Sequence, residues 1–390
     1  MPVDTLDLSG EARQAEGGMT MRILHVLGGM NVGGIETWLM HVLRNIDRTR
    51  YHLDFLVHTT EPGAYDEEIR RLGSQVIPCL SPSQPLAYAR NLRRILREHG
   101  PYDVVHSHVH HFSGFVLRCA RQAGVPMRIA HSHNDTTAVE RRAGVLRRGY
   151  VRLMRRWIWL HATHGIGCSD QAAIDLFGPA WRQDSRNQIL YYGLDLSAFA
   201  APVGRDAARA AVGLPIEAFV VGHIGRMLPQ KNHLFLVEVF NAVVQRRPDA
   251  HLLLVGDGSG RAAIEQAAER MGLRDRVHLV GIRMDVARCL EAMDVFVFPS
   301  IHEGLGLVLI EAQAAGLPCL ASLAVPEEVM VCPGQVKRLE LASGAEAWAE
   351  QLVTIPPGPP TSVGLETIQR SQFNITQSVT NLCTMYGHSE

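Results

Sequence analysis

The strongest constraint in this chain is a rhythm: short, continuously apolar runs alternate with amphipathic stretches, and the series occurs twice. From Met21 the runs RILHVL (22–27), LDFLV (53–57), SQVIP (74–78), DVVHSH (103–108), MRIAHSH (127–133), HGIGCS (164–169) and NQILYYG (187–193) read as strands. Helical patterns such as IETWLMHVLRNI (35–46) and LAYARNLRRILREHG (86–100) lie between them. Strands without polar alternation need cover on both faces, as in a parallel sheet between two layers of helices. A stretch rich in Ala, Pro and Gly (195–215) breaks the series. It restarts with AFVVGHIG (218–225), HLLLVGDG (251–258), RVHLVG (276–281), DVFVFPS (294–300) and LPCLAS (317–322). The expectation is an α/β protein of two doubly wound halves, with a ligand cleft beyond the carboxyl ends of the strands.

Length agrees, because 390 residues exceed one ordinary core. The expected division is a disordered leader over 1–20, a first domain over 21–195, a connection over 196–217 and a second domain over 218–372. Residues 373–390 are expected to form a helix that crosses back onto the first domain. A net charge of −1 gives no global field to draw in nucleic acid. The leader carries acids and no apolar core, so it is no signal peptide, and no run reaches the roughly 20 apolar residues that span a bilayer. The seven scattered cysteines never form C-x-x-C and suit reduced, buried thiols in the cytoplasm.

Four stretches carry candidate chemistry. LHVLGGMNVGGIETW (24–38) is a strand, a glycine-rich turn and a helix start. It would either bring backbone N–H groups to an anion or simply make a tight turn; it matches neither G-x-G-x-x-G nor the P-loop. GRMLPQKNH (225–233) places Arg226 and Lys231 after a strand, either as cations for a diphosphate or as solvated loop residues. In HEGLGLVLIEAQAAG (302–316) the glycines hold off helix until about residue 306, leaving Glu303 in a loop and Glu311 inside an apolar helix. A carboxylate there needs partners, and sugar or ribose hydroxyls would serve. The first-turn N–H groups near Gly304, Leu305, Gly306 and Leu307 would face the cleft.

Nineteen histidines are many, and HSHVHH (106–111) and HSHND (131–135) end strands of the first half. No H-E-x-x-H and no D-x-D occurs, so histidines bonding a polar substrate are expected rather than a metal centre. RRAGVLRRGYVRLMRRWIWLH (141–161) sets Leu146, Tyr150, Leu153 and Trp157 at helical spacing among arginines. Such a helix either lies on an anionic membrane surface or is solvated on one face.

Taken in order, GGMNVGGIE, DVVHSH, RIAHSHN, GRMLPQKN, LLLVGDG, DVFVFPSIHEGLGLVLIEAQAAGLP and VPEEV resemble glycosyltransferase family 4, in particular its capsular and extracellular polysaccharide branch. The resemblance spans about 21–329 and implies the GT-B fold, two Rossmann-like domains. It implies a retaining, metal-independent, cofactor-free transfer from a nucleoside-diphosphate sugar, UDP-sugar being favoured, to a glycan or lipid-linked acceptor. Arg226 and Lys231 would hold the diphosphate, Glu303 the transferred sugar with the N–H groups of 304–307, and Glu311 the ribose. Gly33 and Gly34 would approach the phosphates, His133 would sit beside the reacting sugar, and Glu36 and His108 would line the acceptor side. The enzyme would be cytoplasmic, touching the inner membrane face through 141–161. Where many relatives carry glycines before the Pro-Glu pair, this chain has ASLAVPEEV. A GT-B epimerase and a non-catalytic sugar-nucleotide binder are the competing expectations.

Overall fold

The computed structural model describes residues 20–79, 82–134, 136 and 144–387. The expected leader, apart from Thr20, and residues 141–143 of the arginine-rich segment lie outside the described residues.

Seven strands, β1 (Met21–Leu27), β2 (Tyr51–Val57), β3 (Val76–Pro78), β4 (Val104–Ser107), β5 (Met127–Ser132), β6 (His164–Gly167) and β7 (Asn187–Ile189), pair in parallel in the order β3-β2-β1-β4-β5-β6-β7. Six more, β8 (Phe219–Ile224), β9 (Ala250–Val255), β10 (Val277–Leu279), β11 (Val295–Phe298), β12 (Cys319–Ser322) and β13 (Val336–Leu339), form a second parallel sheet in the order β10-β9-β8-β11-β12-β13. The apolar runs become the sheet interiors: Ile23, Val104 and Ile129 are fully buried in one, and Val221, Leu252 and Val297 in the other. The expected doubly wound α/β class is found, with β13 an addition. That strand reads VKRL, and two of its four residues are charged because it pairs on one side only, with β12.

Both sheets reverse their winding direction after the first strand, between β1 and β4 and between β8 and β11. Helices on either side of such a point diverge, leaving a crevice at the carboxyl ends of the strands. Most of what the sequence singles out lies at those ends: the glycine turn after β1, the histidines closing β4 and β5, Arg226 to Lys231 after β8 and Glu303 after β11.

The helix Thr361–Gln369 packs against Leu307–Ala314 of the second domain, and the helix Ile375–Tyr386 packs against Gly34–Asn45 of the first. Trp38 Nε1 donates to Ser378 Oγ (3.3 Å), which in turn donates to the Tyr191 carbonyl (3.0 Å). A side chain at Gly193 would collide with the Ile375 backbone, so this docking depends on glycine there. The stretch 196–217 contains a helix, Arg205–Ala211, whose fully buried Arg209 pairs with Asp294 at 2.7 Å and so fastens it to the second domain. All seven cysteines are free, six of them buried. Among the described residues no helix is long and apolar enough to cross a membrane.

Candidate active site

On the second domain, the loops after β8 and β11 are fastened together. Ile301 N donates to the Gln230 carbonyl (2.8 Å), and Gln230 Nε2 donates to the His302 carbonyl (2.9 Å). These bonds bring Lys231 Nζ to 2.6 Å from Glu303 Oε1, with the two side chains only 17% and 6% exposed. The ammonium also sits 4.8 Å from the centre of the Phe298 ring, which suits a cation held over an aromatic face. Arg226 is exposed beside this pair and forms no ion pair with any described carboxylate.

The next helix begins at Leu307, as the glycines require, with Gly306 at φ 92° as its N-cap. That left-handed backbone suits glycine and turns the chain sharply enough to aim the unsatisfied first-turn N–H groups outward. Leu307 reaches the first domain, its Cδ1 lying 4.0 Å from where a side chain at Gly34 would start. One turn on, Glu311 is partly exposed at the cleft, and burial pushes its carboxyl up to about 7. Its carboxylate makes no hydrogen bond or ion pair among the described residues, so its acceptor capacity is available to a ligand. Gln313, fully buried in the same helix, was not legible as important. Its amide holds the Leu309 and Val329 carbonyls and the N–H groups of Val331 and Cys332, and so fixes the VPEEV segment behind the helix.

On the first domain, Gly33 caps the helix Gly34–Asn45, and a side chain on Gly33 would collide with Glu36 Oε2. The glycine thus lets the Glu36 carboxylate fold back over the helix start. Burial raises the pKa of Glu36, while a backbone hydrogen bond and, more weakly, the Arg226 charge from the opposite domain pull it down. Gly304 lies against the backbone of the first domain. A side chain there would overlap the His133 carbonyl oxygen, and Ser169 Oγ donates to the Gly304 carbonyl at 2.6 Å.

The histidines depart from expectation. Residues two apart on a strand share a face, so His106 and His108, and His131 and His133, stack in one buried block beneath the cleft. They bond one another rather than facing it: His25 Nδ1 lies 2.9 Å from His108 Nε2, and His108 Nδ1 lies 2.8 Å from His133 Nε2. His133 Nδ1 pairs with the Tyr192 hydroxyl, while His106 bridges Tyr386 (2.9 Å) and His131 (3.1 Å). Burial, reinforced for most of them by neighbouring imidazoles, pushes all five well below the usual histidine range and keeps them neutral. Both ring nitrogens of His133 are therefore occupied, and what it presents toward Gly304 is its carbonyl. His108 lies behind His133, not on an open acceptor wall. Two triads, His25/His106/His108 and His108/His131/His133, bring one nitrogen each within 4.8 Å, as a metal centre would. Within the first triad the His106 and His108 rings stack at 4.4 Å and 26°.

His25 and Tyr192 gave no signal beyond one polar residue in each apolar run, and Asp175 gave none. Asp175 is nearly fully buried, and its carboxylate accepts from His110 Nε2 (2.8 Å) and from the Thr136 backbone and hydroxyl. Burial alone would raise its pKa, yet those bonds hold it at about 2.

Comparison with known proteins agrees with the two-domain fold. The family model "Glycosyl transferase 4-like domain" matches residues 33–184 and "Glycosyl transferases group 1" matches 218–355. The Bacillus subtilis (strain 168) protein EpsF, which bears a glycosyltransferase name, is 36% identical, with 94% of this chain and 97% of EpsF covered. The Escherichia coli UDP-Gal:alpha-D-GlcNAc-diphosphoundecaprenol alpha-1,3-galactosyltransferase is 30% identical over 57% of this chain and 58% of its own. The crystal structure of Anabaena HepE in complex with UDP and glucose superposes with a TM-score of 0.76 at 19% identity, covering 95% of this chain and 100% of HepE.

Proposed function

Since the chain belongs to glycosyltransferase family 4 and has the GT-B fold, we propose that it is a retaining, metal-independent hexosyl- or N-acetylhexosaminyl-transferase. The donor is a UDP-sugar, and the acceptor is a glycan or lipid-linked saccharide in surface polysaccharide synthesis. The observation that carries this reading is the Lys231–Glu303 pair at 2.6 Å, set between Arg226 and a helix N-terminus. Its ammonium is placed for an anion and its carboxylate for hydroxyls. HepE and the Escherichia coli relative, named for UDP and UDP-Gal, support the choice of nucleotide.

In this reading Arg226 and Lys231 take the diphosphate, with the N–H groups of Leu305, Gly306 and Leu307 and the close backbone of Gly33 and Gly34 completing its cradle. These groups carry the charge that grows on the leaving diphosphate, so no metal ion or other cofactor is needed. Glu303 leaves Lys231 for the sugar hydroxyls and holds the ring, helped by Gly304, while Glu311 accepts from the ribose. The sugar–oxygen bond to phosphate breaks, and the acceptor hydroxyl adds from the same face. Its proton passes to the departing phosphate oxygen. His133 supports the sugar through its carbonyl, with Glu36 at the acceptor side and His108 behind it. The enzyme works at the cytoplasmic face of the membrane, where the exposed Arg148, Arg152 and Arg156 meet anionic lipid.

A panel of nucleotide sugars, assayed for binding and for slow hydrolysis, tests this. UDP-sugars are expected to bind and hydrolyse, and preference for another base would overturn the donor assignment. Sugar transfer to an added acceptor separates a transferase from an epimerase, which consumes none, and from a binder, which turns nothing over.

A further inference from the structure

Three of the buried histidines are arranged as metal ligands are. The register of β4 on β5 pairs Ser107 with Ala130, which sets His108 level with His131, and the two-residue period of a strand adds His133 on the same face. One nitrogen from each of the three lies within 4.8 Å of the others. Nitrogens that share an ion at about 2.0–2.1 Å are at most about 4.2 Å apart, so the triad has to close by no more than about 0.6 Å.

The outer bonds decide which nitrogens are left for an ion. His133 Nδ1 pairs with the Tyr192 hydroxyl, His108 Nε2 lies 2.9 Å from His25 Nδ1, and His131 Nδ1 lies 3.1 Å from His106 Nε2. Each ring thus has one nitrogen tied to an outer partner, which in a metal site fixes the tautomer and orientation of the ligand. The inner nitrogens are His108 Nδ1 and His133 Nε2, 2.8 Å apart, and His131 Nε2, which is buried without a hydrogen-bond partner among the described residues. Leaving such a nitrogen unpaired is costly, and an ion satisfies it. His133 keeps a small opening to solvent (6% exposed) while His25 and His106 keep none, so solvent reaches this triad rather than His25/His106/His108. Three imidazoles with no carboxylate or thiolate select a late first-row divalent ion over Mg²⁺ or Ca²⁺, which take oxygen ligands. Neutral ligands leave the ion's charge uncompensated, so the fourth position takes hydroxide, which a zinc-bound water becomes at a pH of about 7.

We propose that His108 Nδ1, His131 Nε2 and His133 Nε2 form a binding site for Zn²⁺ or a similar ion such as Co²⁺ beneath the cleft. The ion takes no part in sugar transfer. It locks the end of β5, where the His133 carbonyl meets Gly304, and the inference does not depend on the donor or acceptor assigned above.

The test uses the full chain without a histidine tag, stripped with EDTA, and Zn²⁺ and Co²⁺ as probes in equilibrium dialysis. Wild type should retain one Zn²⁺ per chain. His131→Asn keeps a polar atom near the place of Nδ1 and lacks Nε2, so its affinity should fall by about a hundredfold or more, and Tyr192→Phe, which removes an outer partner, should lose about tenfold. Tyr192→Phe changes one hydroxyl and keeps the test valid should His131→Asn fail to fold. Co²⁺ should give the visible bands of a four-coordinate site in wild type alone, and Zn²⁺ should raise the Tm of wild type but not of His131→Asn. Absence of retained Zn²⁺ overturns the proposal. So does equal retention by wild type and both variants, which would put the ion on surface histidines. Loss in His25→Asn with none in His131→Asn also overturns it, by moving the site to His25/His106/His108.

Discussion

The second-domain wall of the cleft carries its charges where a ligand can reach them, whereas the first-domain wall is backed by neutral histidines bonded to one another. Lys231 and Glu303 are joined by one 2.6 Å contact, and Arg226 and Glu311 have no fixed partners among the described residues. His25, His108 and His133, by contrast, occupy nearly every ring nitrogen they have. The first arrangement suits groups that must exchange internal partners for phosphate and hydroxyls. The second suits a scaffold that must not respond to the charge changes next to it, since five unprotonated rings hold their geometry while a diphosphate comes and goes. Opposite electrostatic plans on the two walls therefore imply opposite responses to mutation.

The largest effect is expected at Glu303. Replacing it with Gln should lower turnover by about 10²- to 10³-fold, in the range of losing a key polar group at a reacting centre. Affinity for the free nucleoside diphosphate should hold or rise, because Lys231 no longer has a competing carboxylate. Parallel loss of both would remove the distinction between the phosphate and sugar ends of the pair.

Glu311 provides a graded test through pH. Burial raises its carboxyl from 4.5 to about 7, so between those values the folded protein holds a proton that the unfolded chain has released. Stability contributed by this group must then fall as pH rises through that window and stay level above it. Melting temperatures of Glu311→Gln against wild type should diverge across the same window. Nucleotide affinity of the wild type should climb through pH 7 as the carboxylate forms, and the variant should show no such rise.

The smallest effect belongs to the neutral wall. Tyr192→Phe removes the partner of His133 Nδ1, a bond worth about 1 kcal/mol, so kcat should fall roughly fivefold with KM for the donor unchanged. A KM change of the same size would show that the histidine block touches the donor directly.

How much of this was legible follows the range of the physics involved. The strands could be read because burial on both faces writes itself locally as an apolar run, and β13 could not because an edge strand with Lys337 and Arg338 lacks that run. Glu303 in a loop and Glu311 in a helix could be separated by the glycines between them. The bond from Lys231 to Glu303 joins residues 72 apart through the adjacency of β8 and β11, and no local pattern encodes strand order. The histidines were conspicuous in type and spacing, yet their purpose depended on depth. Only the structure places His106 and His131 under the cleft, bonded to each other, and reveals His25 as the partner of His108 and Tyr192 as that of His133.

The central claim is that Lys231 binds phosphate, and its most direct test compares two ligands on one variant. Dissociation constants should be measured for UDP and for uridine on wild type and Lys231→Ala. The account predicts that UDP weakens roughly ten- to a hundredfold, the worth of one charge-assisted bond, while uridine binds as before. Equal changes for the two ligands, or none for UDP, would contradict it.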